Sequence, residues 1–135
     1  MKGATIRLLF FISQEQWYNN TMKLAIFTDL HLGIKSDDHK WHKVALEWAD
    51  SMICKLKKDN ISDIVFLGDF FHNRSTISVD TLNVASDWLN KFNDFTLHMI
   101  LGNHDLYYDK IYDVSAVNIF NGFPNIKVYT TPTAV

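Results

Sequence analysis

Cysteine, proline and glycine are scarce in this chain, and neither sign of charge is in marked excess. The single cysteine, Cys54, excludes a disulfide framework within the chain, and its helix-like surroundings predict a reduced, buried structural thiol. The net charge of −2 provides no global basic field for nucleic acid, although a small basic patch or bound cations can still serve that purpose. A reduced thiol fits a cytoplasmic protein. The chain also lacks an apolar run of the ~18 residues that a membrane span requires.

The abundant residues are apolar, at 47% hydrophobic and 14% aromatic, which predicts one globular domain and not a disordered chain. Residues 1–21 are interpreted as an N-terminal extension of unclear role. Their apolar stretch Ile6–Ile12 is interrupted by Arg7 and is followed by no small-residue cleavage site, so a secretory signal is not favoured. The patterned part of the chain is therefore residues 22–135.

Short apolar runs alternate with longer amphipathic stretches in this part. Buried strands are predicted at Lys23–Thr28, Asp63–Leu67, Thr96–Leu101 and Ile126–Tyr129. A first helix is predicted to begin after an N-cap among residues 36–38, and a second helix after Ser75 or Ser78. The predicted inner face of the second helix consists of Val79, Leu82, Ala85, Leu89 and Phe92. This order predicts an α/β fold with a mostly parallel sheet and crossover helices.

The first three predicted strands all stop on side chains that can bind metals. The sequences at these strand ends are Asp29-Leu30-His31, Gly68-Asp69-Phe70-Phe71-His72 and Gly102-Asn103-His104-Asp105. Right-handed crossovers bring the carboxyl ends of parallel strands to one edge of the sheet, where ligands bind in open α/β folds. We therefore expect these side chains to converge on a metal site at the C-terminal ends of the strands.

Carboxylate, imidazole and amide oxygen together suit manganese, iron or zinc better than calcium or magnesium alone. Two cations ~3.5–4 Å apart clamp the attacking and leaving oxygens of a phosphoryl transfer and acidify a bridging water. Asn103 would add a ligand without adding charge, which keeps the site positive for a phosphodiester. His104 would face the substrate and stabilise or protonate it, worth about 10²–10⁴ in rate. Arg74, close to His72, is a candidate phosphate contact.

Each motif alone has an ordinary alternative, because Gly-Asp and Asn-His-Asp are also common turn sequences. Their occurrence in order, each at a strand end, favours the metal site. Asp105 could either brace its loop through hydrogen bonds or act chemically. His39 and His42, at the start of the first helix, are predicted to be solvated, and His98 is predicted to be a structural partner within its strand.

The three strand-end motifs resemble the first three motifs of the calcineurin-like metallophosphoesterases. Their Asp-x-His-Leu-Gly and Gly-Asp-x-Phe-His forms resemble the SbcD-type DNA repair nucleases more than the protein phosphatases. Residues 97–106 and 124–129 are most similar to the tailed-phage recombination endonuclease subunits of that group. The resemblance covers about residues 22–135 and implies a partial metallophosphoesterase sandwich.

The resemblance also implies roles for individual residues. By this resemblance, Asp29 and His31 would bind the first metal and Asp69 would bridge both metals. Asn103 would bind the second metal. His104 would assist cleavage, and His72 would orient the phosphate. The resemblance further implies manganese-dependent exonuclease and endonuclease cleavage of DNA in recombination and double-strand-break repair. The resemblance implies an SbcC-type ATPase subunit as the partner and a homodimer as the usual assembly. It also implies that the protein acts in the cytoplasm of a phage host.

One departure from the family pattern concerns the later histidines. Such enzymes complete the two-metal centre with a Gly-His-x-His motif, whereas no histidine follows His104 here. We therefore expect residues 22–135 to be the N-terminal half of the domain, to bind manganese weakly and to hydrolyse little or nothing alone. Two alternatives remain open: a metallophosphatase or phosphodiesterase for small substrates, and a non-catalytic fragment that only binds a partner or DNA.

Overall fold

The computed structural model describes residues 23–108 and 111–132, so the N-terminal extension predicted at residues 1–21 lies outside the described residues. In chain order, the elements are β1 (Leu24–Phe27), α1 (Ile34–Asp37), α2 (His39–Lys58), β2 (Asp63–Phe66), α3 (Val79–Lys91), β3 (Thr96–Ile100), β4 (Leu106–Tyr108), β5 (Ile111–Ser115), a 3-10 helix (Ala116–Gly122) and β6 (Ile126–Tyr129).

Four strands form one parallel sheet in the order β1-β2-β3-β6. The register places Ile64 between Ala25 and Leu97. α2 connects β1 to β2, and α3 connects β2 to β3, which are the crossovers that parallel neighbours require. The α/β class, the parallel sheet and the four predicted strands are confirmed, and each strand end differs from its prediction by at most one residue.

The core lies between one face of the sheet and the two long helices. Alternate strand residues such as Phe27, Phe66 and Met99 point to this face and are buried. At the centre Trp88 of α3 packs on Phe92 and edge-on against Phe66, with ring centroids 4.4 and 6.2 Å away. Aromatic rings of this kind dominate core energetics because each removes a large apolar area from water.

The opposite face of the sheet is only partly covered by the described residues. Leu24 and Ile100 are exposed there, and Val65 is half-buried. His98 also lies on this face, where its Nδ1 is 2.8 Å from the hydroxyl of Tyr129, and so has the structural role expected of it.

The two long helices begin at the predicted caps. The Asp38 side chain accepts a hydrogen bond from Lys40 N at 2.9 Å, and the Ser78 hydroxyl accepts one from Thr81 N at 3.1 Å. Each cap satisfies a backbone N–H that the first turn of a helix leaves unpaired.

The predicted inner face of α3 was partly wrong. Val79 is 74% exposed and Leu82 is also exposed, whereas Ala85, Leu89 and Phe92 are buried as predicted. The buried stripe instead runs through Thr81, Ala85, Trp88, Leu89 and Phe92. This is the regular i, i+4, i+7 helical spacing, and a threonine begins it where the pattern of apolar residues indicated valine and leucine.

Two predictions for α2 were also wrong. Cys54 is exposed, and His42 is buried at 4% exposure. The buried stripe of this helix is His42, Ala45, Ala49, Met52 and Leu56. Cys54 lies two positions from Met52 and so falls on the far side, while His42 lies three positions before Ala45 and so shares the buried face.

The connection from β3 to β6 contains elements that were not predicted. β4 and β5 form a two-stranded antiparallel sheet, and the 3-10 helix that follows packs against β6. Val117 and Phe120 of that short helix are buried against the core. No helix within the described ranges combines the length and apolar character that a membrane crossing demands.

Candidate metal centre

The loops that follow β1 and β2 continue side by side beyond the ends of their strands. His31 N donates to the carbonyl of Asp69 at 3.0 Å, and His72 N donates to the carbonyl of Leu32 at 2.8 Å. Leu32 and Phe71 also form an isolated parallel bridge. The backbone ladder of the sheet therefore extends through both loops and places their side chains at neighbouring positions.

The loop after β3 comes close to the loop after β2 because both contain glycine at the point of contact. A Cβ on Gly68 would collide with the backbone N of Gly102, and a Cβ on Gly102 would lie 2.6 Å from the backbone N of Asp69. Gly68 also has a φ of +104°, which other residues rarely adopt. His104 N then donates to Oδ1 of Asp69 at 3.0 Å. The glycines in the motifs are thus required for the close approach.

The buried carboxylate of Asp105 joins these two loops. Its Oδ2 accepts hydrogen bonds from Asp69 N at 2.7 Å and Gly102 N at 2.9 Å, and its Oδ1 accepts one from Phe70 N at 2.9 Å. Burial raises the pKa of Asp105, and these backbone donors offset part of that rise. Of the two roles left open for this residue, the structure shows the bracing one.

Three of the predicted metal ligands form a compact group. One ligand atom from each of Asp29, His31 and Asp69 lies within 4.8 Å of the other two. His31 Nε2 is 3.5 Å from Oδ1 of Asp29 and 3.9 Å from Oδ2 of Asp69. The buried Nδ1 of His31 has no hydrogen-bond partner within the described part of the chain.

The backbone at these ligands is strained. Asp29, His31 and Asp69 all have positive φ, at 58°, 47° and 59°, in a region that L-residues seldom occupy. Such conformations persist where the surroundings enforce them, and they concentrate at functional sites. Two carboxylates and an imidazole held together in this way form a donor set that fits a divalent cation.

A second group of imidazoles adjoins the first. Ligand atoms of His31, His72 and His104 lie within 4.8 Å of one another. His104 Nδ1 is 2.9 Å from the carbonyl oxygen of His72, and a carbonyl only accepts, so Nδ1 carries the proton and Nε2 is left available. Partial burial, and then the neighbouring His31 and His104, lower the pKa of His72.

The other two predicted residues, Asn103 and Arg74, are both exposed. Asn103 lies between Gly102 and His104, both of which contact Asp69, so the backbone brings Asn103 to the same rim with an exposed side chain. Arg74 is exposed, and among the described residues it has no ion pair with any group of the site. The structure thus brings together Asp29, His31, Asp69, His72 and His104, while no ion pair among the described residues links Arg74 to them.

The fold and this group of side chains are typical of a known class of metal-dependent phosphoesterases. The sequence profile of the calcineurin-like phosphoesterase family matches residues 22–133, and the chain belongs to this family. Members of the family use divalent metal ions, which agrees with the ligand group at the strand ends.

One similar protein and one solved structure give a more particular comparison. The chain is 34% identical over 117 residues to exonuclease subunit 1 of Enterobacteria phage T4, a match that covers 84% of this chain and 34% of that protein. The crystal structure of the Pseudomonas putida nuclease MPE has a similar fold, with a TM-score of 0.54 and 23% identity, over 78% of this chain and 46% of that one. The chain therefore spans about a third of the first relative and under half of the second.

Proposed function

We propose that this chain is the N-terminal half of a two-metal phosphodiester hydrolase that cleaves DNA in recombination and double-strand-break repair. The observation that carries the proposal is the meeting of Asp29, His31 and Asp69 within 4.8 Å, next to His104. The similarity to a phage exonuclease subunit supports DNA as the substrate, in preference to a small phosphoester.

In this proposal the chain holds two divalent cations, most simply Mn²⁺, with Fe or Zn as alternatives. Asp29 and His31 bind the first cation, Asp69 is shared, and Asn103 supplies a neutral oxygen to the second. The bound cations would supply an activated water and neutralise charge on the phosphate. Mixed carboxylate, imidazole and amide donors support a borderline metal such as manganese.

His104 and His72 act on the substrate side of the proposed centre. The hydrogen bond from His104 Nδ1 to the carbonyl of His72 fixes the imidazole ring and leaves Nε2 available. When the ring is doubly protonated, Nε2 would donate its proton to the leaving oxygen and return to the neutral form. His72 orients the phosphate. It also lines a polar cavity of about 330 Å³ together with Lys35 and Asn73, which gives a DNA strand a path beside the metals. Arg74, exposed at this end, contacts a more distant phosphate.

Residues 22–135 form the first half of the domain in this proposal. The two matched proteins are two to three times as long as their matched parts, and one face of the sheet is only partly covered by the described residues. The partner is an SbcC-type ATPase subunit, and the assembly contains two copies of the nuclease in the cytoplasm of the host cell. The name of the T4 relative, which calls that protein a subunit, supports a partner.

The first test is metal binding by this chain. Isothermal titration with Mn²⁺ is expected to show weak binding that Asp69→Asn removes. Tight binding of two ions would contradict the half-site, and no binding at all would contradict the metal centre.

The second test compares substrates on the longest gene product that contains this segment. Manganese-dependent cleavage of single- and double-stranded DNA is expected to exceed cleavage of bis(p-nitrophenyl) phosphate, a small phosphodiester. The reverse order would favour a small-substrate phosphodiesterase, and absence of both activities with DNA binding retained would favour a non-catalytic binding role.

A further inference from the structure

A second group of metal-binding side chains lies between the amino-terminal ends of α2 and α3, and it shares no residue with the centre described above. It consists of His39, His42 and Asp80, whose ligand atoms all lie within 4.8 Å of one another. Asp80 Oδ2 is 3.2 Å from His42 Nδ1 and 3.6 Å from His39 Nδ1. The two histidines are three positions apart on α2 and therefore share one face of the helix.

His42 is the informative member because it is buried and its Nδ1 has no hydrogen-bond partner among the residues that the structure describes. The residue is only 4% exposed, and although Nδ1 lies near Asp80, the direction of approach does not make a hydrogen bond. A buried polar atom without a partner is costly unless something else satisfies it. The nitrogen and the Asp80 carboxylate lie side by side, 3.2 Å apart, so that one cation could bind both.

The other ring nitrogen determines which tautomer His42 adopts. The buried Thr81 hydroxyl donates a short hydrogen bond to Oδ1 of Asp37, so its oxygen can only accept from His42 Nε2, which lies 3.2 Å away. Nε2 therefore carries the proton, and the lone pair of Nδ1 remains available beside Asp80. Metal-binding histidines are commonly oriented in this way, by a hydrogen bond from the nitrogen that does not bind the metal.

We propose that His39, His42 and Asp80 bind one divalent transition-metal ion of the zinc type. Zinc–ligand distances of ~2.0–2.2 Å in a tetrahedron place neighbouring ligand atoms ~3.4 Å apart. The observed separations of 3.2 and 3.6 Å fall on either side of that value. The largely exposed His39 leaves the fourth position open to water.

The ion would also stabilise the α1 turn, which follows the loop after β1. Asp37, which accepts the Thr81 hydrogen bond, belongs to the α1 turn, where Lys35 and Ser36 have left-handed φ and ψ. Binding at His42 would hold Thr81, and through it Asp37, so the ion would fasten α2, α3 and this turn together.

The test uses the full chain carrying Asp69→Asn, which cripples the strand-end centre and leaves the proposed site intact. Zn²⁺ affinity is measured by competition with a chromophoric chelator, and Co²⁺ is used as a spectroscopic probe. In this background one Zn²⁺ is expected to bind, and both His39→Gln and Asp80→Asn are expected to weaken its binding at least tenfold. Asp87→Asn, an exposed carboxylate on the same helix, is the matched control and should leave the affinity unchanged.

A second measurement does not depend on these variants. Imidazole ¹⁵N NMR of the unsubstituted chain should show His42 with a protonated Nε2 and a Nδ1 resonance that moves when Zn²⁺ is added. Equal Zn²⁺ affinity in Asp80→Asn and Asp87→Asn would overturn the proposal, and so would a His42 Nδ1 resonance that Zn²⁺ leaves in place. Because the strand-end centre is disabled in the first test, failure there says nothing against the proposed nuclease.

Discussion

The backbone N–H of Asp69 donates a 2.7 Å hydrogen bond to the carboxylate of Asp105, a residue 36 positions later in the chain. Asp69 belongs to the loop after β2, and Asp105 to the loop after β3. The position of one proposed metal ligand therefore depends on a buried carboxylate whose oxygens accept hydrogen bonds from the backbone.

Replacing Asp105 with asparagine tests whether its carboxylate holds the loops after β2 and β3 together. An amide presents one NH₂ group to backbone N–H donors, so at least one of Asp69, Phe70 and Gly102 loses its acceptor. Such an unpaired buried donor costs about 1–3 kcal/mol. We expect a loss of this size in the free energy of unfolding by urea, together with weaker Mn²⁺ binding. Asp87→Asn is the control on an exposed helix surface, and equal stability of the two variants would argue against the brace.

Gly102→Ala should disturb the same contact by steric means. The added Cβ would lie 2.6 Å from the backbone N of Asp69, and overpacking of this kind costs about 1–3 kcal/mol. Thermal unfolding and Mn²⁺ titration should both show the loss. Gly122→Ala is the matched control, because a Cβ at that position has no neighbour within 4 Å in the described part of the chain. Its stability should stay near that of the unsubstituted chain.

Asp69→Asn should abolish Mn²⁺ binding without lowering the stability of the metal-free chain. The substitution keeps the shape of the side chain and an oxygen to accept from His104 N, but it removes one of two carboxylates that face His31. Without metal, the free energy of unfolding should therefore stay equal or rise by up to about 1 kcal/mol, as is common when a functional site is neutralised. Mn²⁺ should no longer stabilise the variant. In the unsubstituted chain, a Mn²⁺ concentration of 100 times Kd should add about 2.7 kcal/mol to the free energy of unfolding. The comparison is a pair of urea curves with Mn²⁺ and with EDTA.

His104→Gln should affect turnover and not metal affinity. Glutamine cannot transfer a proton at neutral pH, so DNA cleavage by the longest gene product containing this segment should fall by about 10²–10⁴. Mn²⁺ affinity, measured by titration, should remain within about threefold because the ligands are unchanged. His98→Gln is the control, since His98 contacts Tyr129 on the opposite face of the sheet and should affect stability alone. A parallel loss of metal binding and activity would assign His104 to the ligands.

The sheet and the convergence of its loops could be predicted because both follow from local patterns. Apolar runs of strand length identified β1, β2 and β3, and the crossover rule then required their carboxyl ends to share one edge. Asp29 and Asp69 met there for that reason, although 40 positions of chain separate them.

Other features could not be predicted because they depend on tertiary contacts. His42 looked like a surface residue, and only the packing of α2 on α3 buries it beside Thr81. The β4–β5 hairpin is short and its residues alternate weakly, so no period indicated it. The bracing role of Asp105 follows from its backbone partners in another loop, which no spacing in its own motif reveals.

The parallel bridge between Leu32 and Phe71 has a consequence for how this centre tolerates change. Neighbouring strands in a ladder stand about 4.8 Å apart whatever their side chains are. The distance between the proposed ligands that follow β1 and β2 is thus set by backbone geometry, and substitutions on the surrounding surface should not change it. Descendants of this chain could remodel the outer loops extensively and still inherit the same spacing between cation-binding groups.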